Sequence, residues 1–464
     1  MNIFKHTPLT ALIFIWVALS NCATENLNFI GEIVATSDSS NELRMHIDFE
    51  IDQKSSAYVS YWTETNPDKI FHSQLSQSDR SHHLTLVGLK GGTTYQYQVS
   101  VSNVNTSIQS EVEKFTTSKF PINVLHLRWE PEERTGLSGY ILSQRRLVNG
   151  VIFMIDDDGD VVWYQQIPKQ PKLSHWTARH TILVLYGAAT HRNSSGDHIV
   201  EYDLYGNERF HLNLSELDIP LEAHHEVRFD ENNNLLTLVY QHKTFDLSSI
   251  GGKQDQSVMG DKIVRMDTAG NVLWEWSVFD YTNPLKDSTI LRTAEDWSHS
   301  NSLSIDSDGN YLVSFRNFNQ VWKVDSKSGK VLWKLGKGGD IEMEPSAQFS
   351  GQHAFHVNPE GDYMVFDNGR QNRQTRILTY QIDEANKKAT VGLKLQLPEN
   401  LYSDRMGNAY LMDNDNMLVC APRTNSLVIM NQKGEILGKA HVGIPDPYRA
   451  EFVRSLYPLD HVRD

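Results

Sequence analysis

The chain has 464 residues, enough for two or three domains and a sizeable core. Apolar residues make up 39% and charged residues 22%, and 18 Tyr, 18 Phe and 10 Trp beside 28 Gly lean towards a β-rich architecture. The net charge of −15 argues against nucleic acid or an anionic membrane as partner, although a local cluster of His and Arg can still build a positive pocket.

The first 22 residues carry Lys5, the apolar run Leu9 to Leu19 and the stretch Ser20-Asn21-Cys22. This is the layout of a secretory signal, too short to span a bilayer as a mature helix, and it predicts an exported bacterial protein. Cys22 after Leu19-Ser20-Asn21 resembles a lipobox except at Asn21, where a smaller residue is usual. A lipid anchor at Cys22 would hold the protein at the outer membrane, whereas simple cleavage near Ala23 would leave it in the periplasm. The other cysteine, Cys420, lies in the apolar run Met417-Leu418-Val419-Cys420 and reads as core, so no intramolecular disulfide is expected.

Residues 23–118 alternate short β-type runs with polar turns. Within them Leu86-Val87-Gly88-Leu89 precedes Tyr95, the pattern of a corner tyrosine in an immunoglobulin or fibronectin III-like β-sandwich. A support domain without chemistry of its own is expected there.

Residues 119–464 repeat. One hairpin recurs as Phe229 to Leu236, Ile305 to Leu312, Val357 to Met364 and Leu411 to Leu418, each with an Asp/Asn/Gly turn. A second runs from an apolar-Asp strand through a Gly turn to Trp: Asp156 to Trp163, Asp267 to Trp274 and Asp325 to Trp333, with weaker copies at Asp203 and Asn431. Two hairpins make a four-stranded sheet, and such sheets arranged radially make a β-propeller. The count predicts six blades, with residues 120–150 and the insert Thr244 to Asp261 leaving room for a seventh.

In successive repeats histidines stand before the inner strand: His224-His225, His299 with Asn301, and His353. His225, Asn301 and His353 lie four residues before Phe229, Ile305 and Val357, so their side chains should converge on the central channel. Arg316 and Asn368 follow the paired strands, near the channel mouth. Three histidines could bind zinc. An imidazole nucleophile with His and Arg donors better suits an anionic tetrahedral group, and Arg316 disfavours a dication.

Asp296-Trp297-Ser298-His299-Ser300-Asn301-Ser302, Ser314-Phe315-Arg316-Asn317, and Gln352-His353 followed by Phe366-Asp367-Asn368-Gly369 resemble the arylsulfotransferase family of bacterial periplasmic enzymes. The resemblance implies sulfuryl transfer from a small phenolic donor to a phenol, without 3'-phosphoadenosine phosphosulfate or another cofactor. It also implies that His353 is transiently sulfurylated and that His299, Asn301 and Arg316 hold the sulfate oxygens. One of His224 and His225 would be a further channel ligand, His225 by repeat register, and His356 is a rival nucleophile that the resemblance disfavours. Well-known members use a disulfide, which this chain is not expected to form. The competing readings are a hydrolase or lyase acting on sulfated or uronic polysaccharide, and a non-catalytic binding propeller.

Overall fold

The hairpin turns encode their own geometry. Asp203 Oδ1 accepts the N–H groups of Tyr205 and Asn207, both at 2.9 Å, and Gly206 carries the chain round at φ 86°. Asp267 repeats the device with Ala269 and Asn271 at 2.9 Å, and Asp230 does so in an inner hairpin with Asn232 and Asn234 at 2.9 and 2.8 Å. A carboxylate bonded to the backbone two and four residues ahead replaces bonds the turn cannot make internally, and glycine meets no Cβ penalty at positive φ.

The computed structural model describes residues 26–456, except 132–134, 193 and 444–446. The leader and Cys22 lie outside the described residues, among which no helix is long and apolar enough to cross a membrane. The hairpins pair into a six-bladed β-propeller. Blade 2 is Gln170–Trp176, Ile182–Gly187, His198–Tyr202 and Glu208–Asn213, and blade 3 is Ala223–Phe229, Leu235–Phe245, Gln256–Met266 and Val272–Ser277. Blade 4 is Ser300–Ile305, Tyr311–Phe315, Gln320–Val324 and Val331–Gly336. Blade 5 is His353–Val357, Tyr363–Asp367, Arg376–Asp383 and Lys388–Gln396, and blade 6 is Asn408–Leu411, Met417–Ala421, Ser426–Met430 and Ile436–Val442.

Blade 1 closes the ring. Tyr140–Arg145, Val151–Ile155 and Val161–Gln166 take their innermost partner, Ala450–Val453, from the C-terminal end of the chain. Leu127–Pro131 adds an outer strand to blade 6. There is accordingly no seventh blade among the described residues: residues 120–150 supply this clasp and the start of blade 1. The Thr244 to Asp261 insert lengthens one hairpin of blade 3, with pairing continuous from Leu235↔Met266 to Phe245↔Gln256.

Each blade is covered on both faces, so its strands are continuously apolar rather than alternating. In Ile182–Gly187, Ile182, Val184 and Tyr186 pack with blade 1, while Leu183 and Leu185 pack with blade 3. Six such cores separate successive blades, and each fully buried Leu or Val contributes about 1.5–3 kcal/mol. Cys420 is buried in the core between blades 6 and 1. Indoles stitch blades together: Trp163 Nε1 donates to Leu204 O at 2.7 Å, and Trp276 Nε1 to Gly329 O at 2.9 Å.

Ahead of the propeller, Met45–Thr63 runs through both layers of a β-sandwich. Its first half pairs with Phe29–Ser37 and Asp79–Leu86, and its second half with Asn66–His72 and Thr94–Ser102. The Tyr95 hydroxyl accepts the Lys90 N–H at 2.9 Å, which is the tyrosine corner. Lys90 Nζ then reaches Asp156, Asp158 and Asp160 at 2.9, 2.5 and 2.9 Å, fastening the sandwich to a turn of blade 1.

Candidate functional site

The inner strands of blades 3, 4 and 5 slip register where they approach the channel, between His224 and Val227, Ser300 and Ser302, and His353 and His356. Such bulges re-aim neighbouring side chains. His225 and His299 take left-handed backbone with φ 61° and 49°, as does Ala354 beside His353 at φ 52°. For residues with a Cβ this costs on the order of 1 kcal/mol or more each, and strain of this kind gathers at functional sites. All of it surrounds one cavity of about 530 Å³, lined by His225, His299, His353, Arg316 and Asp296 together with Arg146, Arg405 and Met406. A larger cleft of about 850 Å³ lies between the sandwich and the propeller, but it brings no comparable set of nucleophile and donors together.

His353 is held in one tautomer. Asn368 Nδ2 donates to Ser403 O and Met406 O, at 2.7 and 2.9 Å, which leaves its Oδ1 as the acceptor facing His353 Nδ1 at 2.7 Å. The proton therefore sits on Nδ1 and the lone pair on Nε2. Met406 N–H approaches that lone pair at 3.2 Å, from a residue with φ 58°. Burial, reinforced by the Arg316 charge, holds the imidazole well below its usual value, so His353 is neutral at pH 7.

His299 Nδ1 lies 2.6 Å from Asp296 Oδ2, so the carboxylate fixes Nδ1–H and turns Nε2 towards the cavity. Burial opposes ionisation of Asp296, but the bond from His299 wins and keeps its carboxyl below the ordinary value. Arg316 donates its backbone N–H to His299 O at 3.0 Å. Its Nη1 reaches Asn317 Oδ1 at 3.2 Å, while its Nε has no hydrogen-bond partner among the described residues. His225 stands edge-on to His299 with ring centroids 5.2 Å apart, and shares an Nδ1···Nδ1 contact of 2.9 Å with His224. Burial and the adjoining His224 hold His225 well below its usual value.

Three residues expected to touch substrate stand behind the wall instead. His224 is fully buried, stacked on Tyr240 at 4.1 Å with Nε2 3.2 Å from Asp261 Oδ1; the strained backbone at His225 gives the cavity position to its neighbour. Asn301, at the bulge of blade 4, donates Nδ2 to Gln352 O at 2.7 Å. Asn368 lies not at the mouth but beneath His353, where it fixes the tautomer. His356 does not line the cavity, and its Nδ1 bonds Ala354 O at 3.0 Å.

The residues do not fit the zinc alternative. Among the described residues, ligating atoms gather within 4.8 Å only in Asp156, Asp157 and Asp158 and in Asp306, Asp308 and Glu384. Lys90 and Lys323 already occupy those two groups. The three cavity histidines surround space beside a guanidinium, an arrangement for an anion.

A family model for arylsulfotransferase (ASST) matches residues 130–436, most of the propeller. The chain belongs to the arylsulfotransferase family. Membership makes it an aryl sulfotransferase in general class. No curated protein matches it. Among solved structures it is similar to a protein of unknown function from Bacteroides caccae, at 12% identity and TM-score 0.43, over 67% of this chain and 97% of that one. It is also similar to an inactivated virginiamycin B lyase from Staphylococcus aureus with quinupristin, at 11% identity and TM-score 0.35, over 68% and 99%. Similarities at this level bear no functional conclusion.

Around the arylsulfotransferase cavity, the sequence motifs missed Arg146, Arg405, Met406 and the buried Arg449. Met406 lies five residues before Leu411, one position off the four-residue register that singled out the histidines, so the repeat pointed only near it in blade 6. Arg449 had no such signal, because the strand it precedes closes blade 1 without a connecting hairpin.

Proposed function

We propose that the protein moves a sulfuryl group from a phenolic sulfate ester to a phenol through a sulfohistidine at His353, without a nucleotide sulfate donor. The observation that carries this reading is the neutral imidazole whose Nδ1–H is committed to Asn368, leaving Nε2 as the nucleophilic atom beside Arg316 and two further histidines. The leader-like first residues support export to the periplasm.

Nε2 attacks sulfur as the S–O bond to the aryl group breaks, and the departing oxygen takes its electron pair and a proton from His299, whose imidazolium form Asp296 supports. Arg316 and His225 stand where donors can meet the equatorial oxygens. Because Asn368 keeps the proton on Nδ1, the sulfurylated ring remains a good leaving group. An acceptor hydroxyl then gives its proton to His299 and attacks sulfur, the N–S bond breaks, and neutral His353 returns.

The direct test is release of 4-nitrophenol from 4-nitrophenyl sulfate by chelator-treated protein without nucleotide. A burst of one equivalent followed by turnover only with added phenol is expected; no release with any acceptor would sink the reading.

Arg316→Ala should lower kcat by about two to three orders of magnitude, the scale for losing one oxyanion donor. A rise in KM alone would mean uniform substrate binding instead. Asp296→Asn should reveal the proton transfer: with phenyl sulfate, whose leaving group needs protonation, kcat should fall about 10²-fold or more, and with 4-nitrophenyl sulfate much less. Equal losses on both donors would reduce Asp296 to a structural role.

A further inference from the structure

Resting on that transferase reading, we propose that Asp261 is a positioning residue for the transfer, a buried carboxylate that holds His299 and His225 at the angles their roles require without touching substrate. Asp261 is 3% exposed and ends the insert from Thr244 that the repeat does not explain, in the third strand of blade 3. Its Oδ2 accepts the Ser298 hydroxyl at 2.5 Å and the Ser300 N–H at 2.7 Å, from the residues on either side of His299. Its Oδ1 faces His224 Nε2 at 3.2 Å, and His224 Nδ1 lies 2.9 Å from His225 Nδ1. One side chain of blade 3 therefore acts on both histidines from behind the cavity wall.

Both histidines need that hold. A left-handed residue with a Cβ persists only where its surroundings over-determine it, and His225 and His299 stand at φ 61° and 49°. The two bonds to Asp261 Oδ2 pin the strained turn before and after His299, while Tyr240, stacked on the His224 ring at 4.1 Å, keeps that ring between Asp261 and His225. Burying a carboxylate is costly unless its oxygens are engaged, and here each oxygen faces a residue adjoining one of the two histidines. The consequence is chemical. His299 must meet the departing oxygen within hydrogen-bond reach, so a loosened His299 hurts most where the leaving group most needs a proton.

The test compares phenyl sulfate and 4-nitrophenyl sulfate as donors, with 4-methylphenol as acceptor, and reads kcat/KM for the donor, which reports the first half-reaction alone. Asp261→Asn keeps the size and one acceptor oxygen but loses the charge. Its kcat/KM should fall about 10²-fold for phenyl sulfate, the scale of a misplacement of about 1 Å, and much less for 4-nitrophenyl sulfate. Ser298→Ala removes one bond and leaves the carboxylate in place, so it carries the test if Asp261→Asn fails to fold; it should show the same split at about tenfold. Added to Asp296→Asn, Asp261→Asn should cost little more on phenyl sulfate, since both act through His299. Nitrogen NMR of histidine-labelled protein should find the rings of His225 and His299 both shifted in Asp261→Asn. Equal losses on the two donors, or no loss, overturn the inference and leave the transferase reading standing, as do losses that multiply in the double variant. An unmoved His225 signal removes that residue from it. Wild-type protein that turns over neither donor overturns the transferase reading itself.

Discussion

His353→Ala is expected to abolish sulfuryl transfer, lowering kcat by at least about 10⁴-fold as removal of a covalent nucleophile does. The burst of 4-nitrophenol should vanish with it, because Asn368 commits the Nδ1–H of His353 and leaves its Nε2 as the nucleophile, while His299, tied to Asp296, serves as the proton donor. The fold should survive. The variant strands Asn368 Oδ1, at a cost of about 1–3 kcal/mol, while the six interblade cores are untouched. Circular dichroism would register an intact β signal, and added imidazole, entering the vacated space, should restore part of the turnover. Mass spectrometry of wild-type protein quenched without acceptor should find one sulfuryl adduct on the peptide carrying His353. A folded, active His353→Ala protein would remove this residue from the mechanism, and an adduct on His356 would transfer the role there.

Much of this arrangement is legible in the chain because the same residues that shape a turn also mark the repeat. Asp203, Asp230 and Asp267 each bond the backbone two and four residues on, so each hairpin announces itself locally and six blades can be counted. The convergence of His225, His299, His353 and Arg316 follows from that count, since equivalent ends of radial strands meet at one axis. Two things escape such reading. The closing strand Ala450–Val453 pairs with Tyr140–Arg145 across some three hundred residues of sequence, so no turn residue announces it. The second is side-chain direction at the bulges. Two extra residues at the blade 3 bulge decide that His225 rather than His224 reaches the cavity, and one at the blade 4 bulge that Asn301 bonds Gln352 O instead of substrate. Register positions a backbone; it does not aim the side chain once the pleat is broken.

Breaking the buried ion pair beneath the cavity should have the largest effect on stability. Arg449 Nη1 meets Glu226 Oε2 at 2.6 Å, its Nη2 donates to Asn301 O at 2.7 Å, and both side chains are almost fully buried next to the strand that closes the ring. Burial opposes ionisation of Glu226, yet Arg449 and then Arg228 hold its carboxyl down to about 2. Arg449→Met leaves that carboxylate to Arg228 alone and should cost about 3–5 kcal/mol in denaturant unfolding, whereas Glu226→Gln combined with Arg449→Met should recover most of the loss. The pH dependence has a definite sign. A carboxyl depressed in the folded state contributes stability that is complete above its ordinary value near 4.5 and is lost as pH falls from there towards 2. Wild-type stability should therefore drop across that window, and the double variant should drop less. A loss under about 1 kcal/mol in Arg449→Met would mean that Arg228, 3.2 Å from Glu226 Oε1, suffices to hold the charge alone, and identical acid profiles for wild type and double variant would mean that Glu226 does not govern the acid loss.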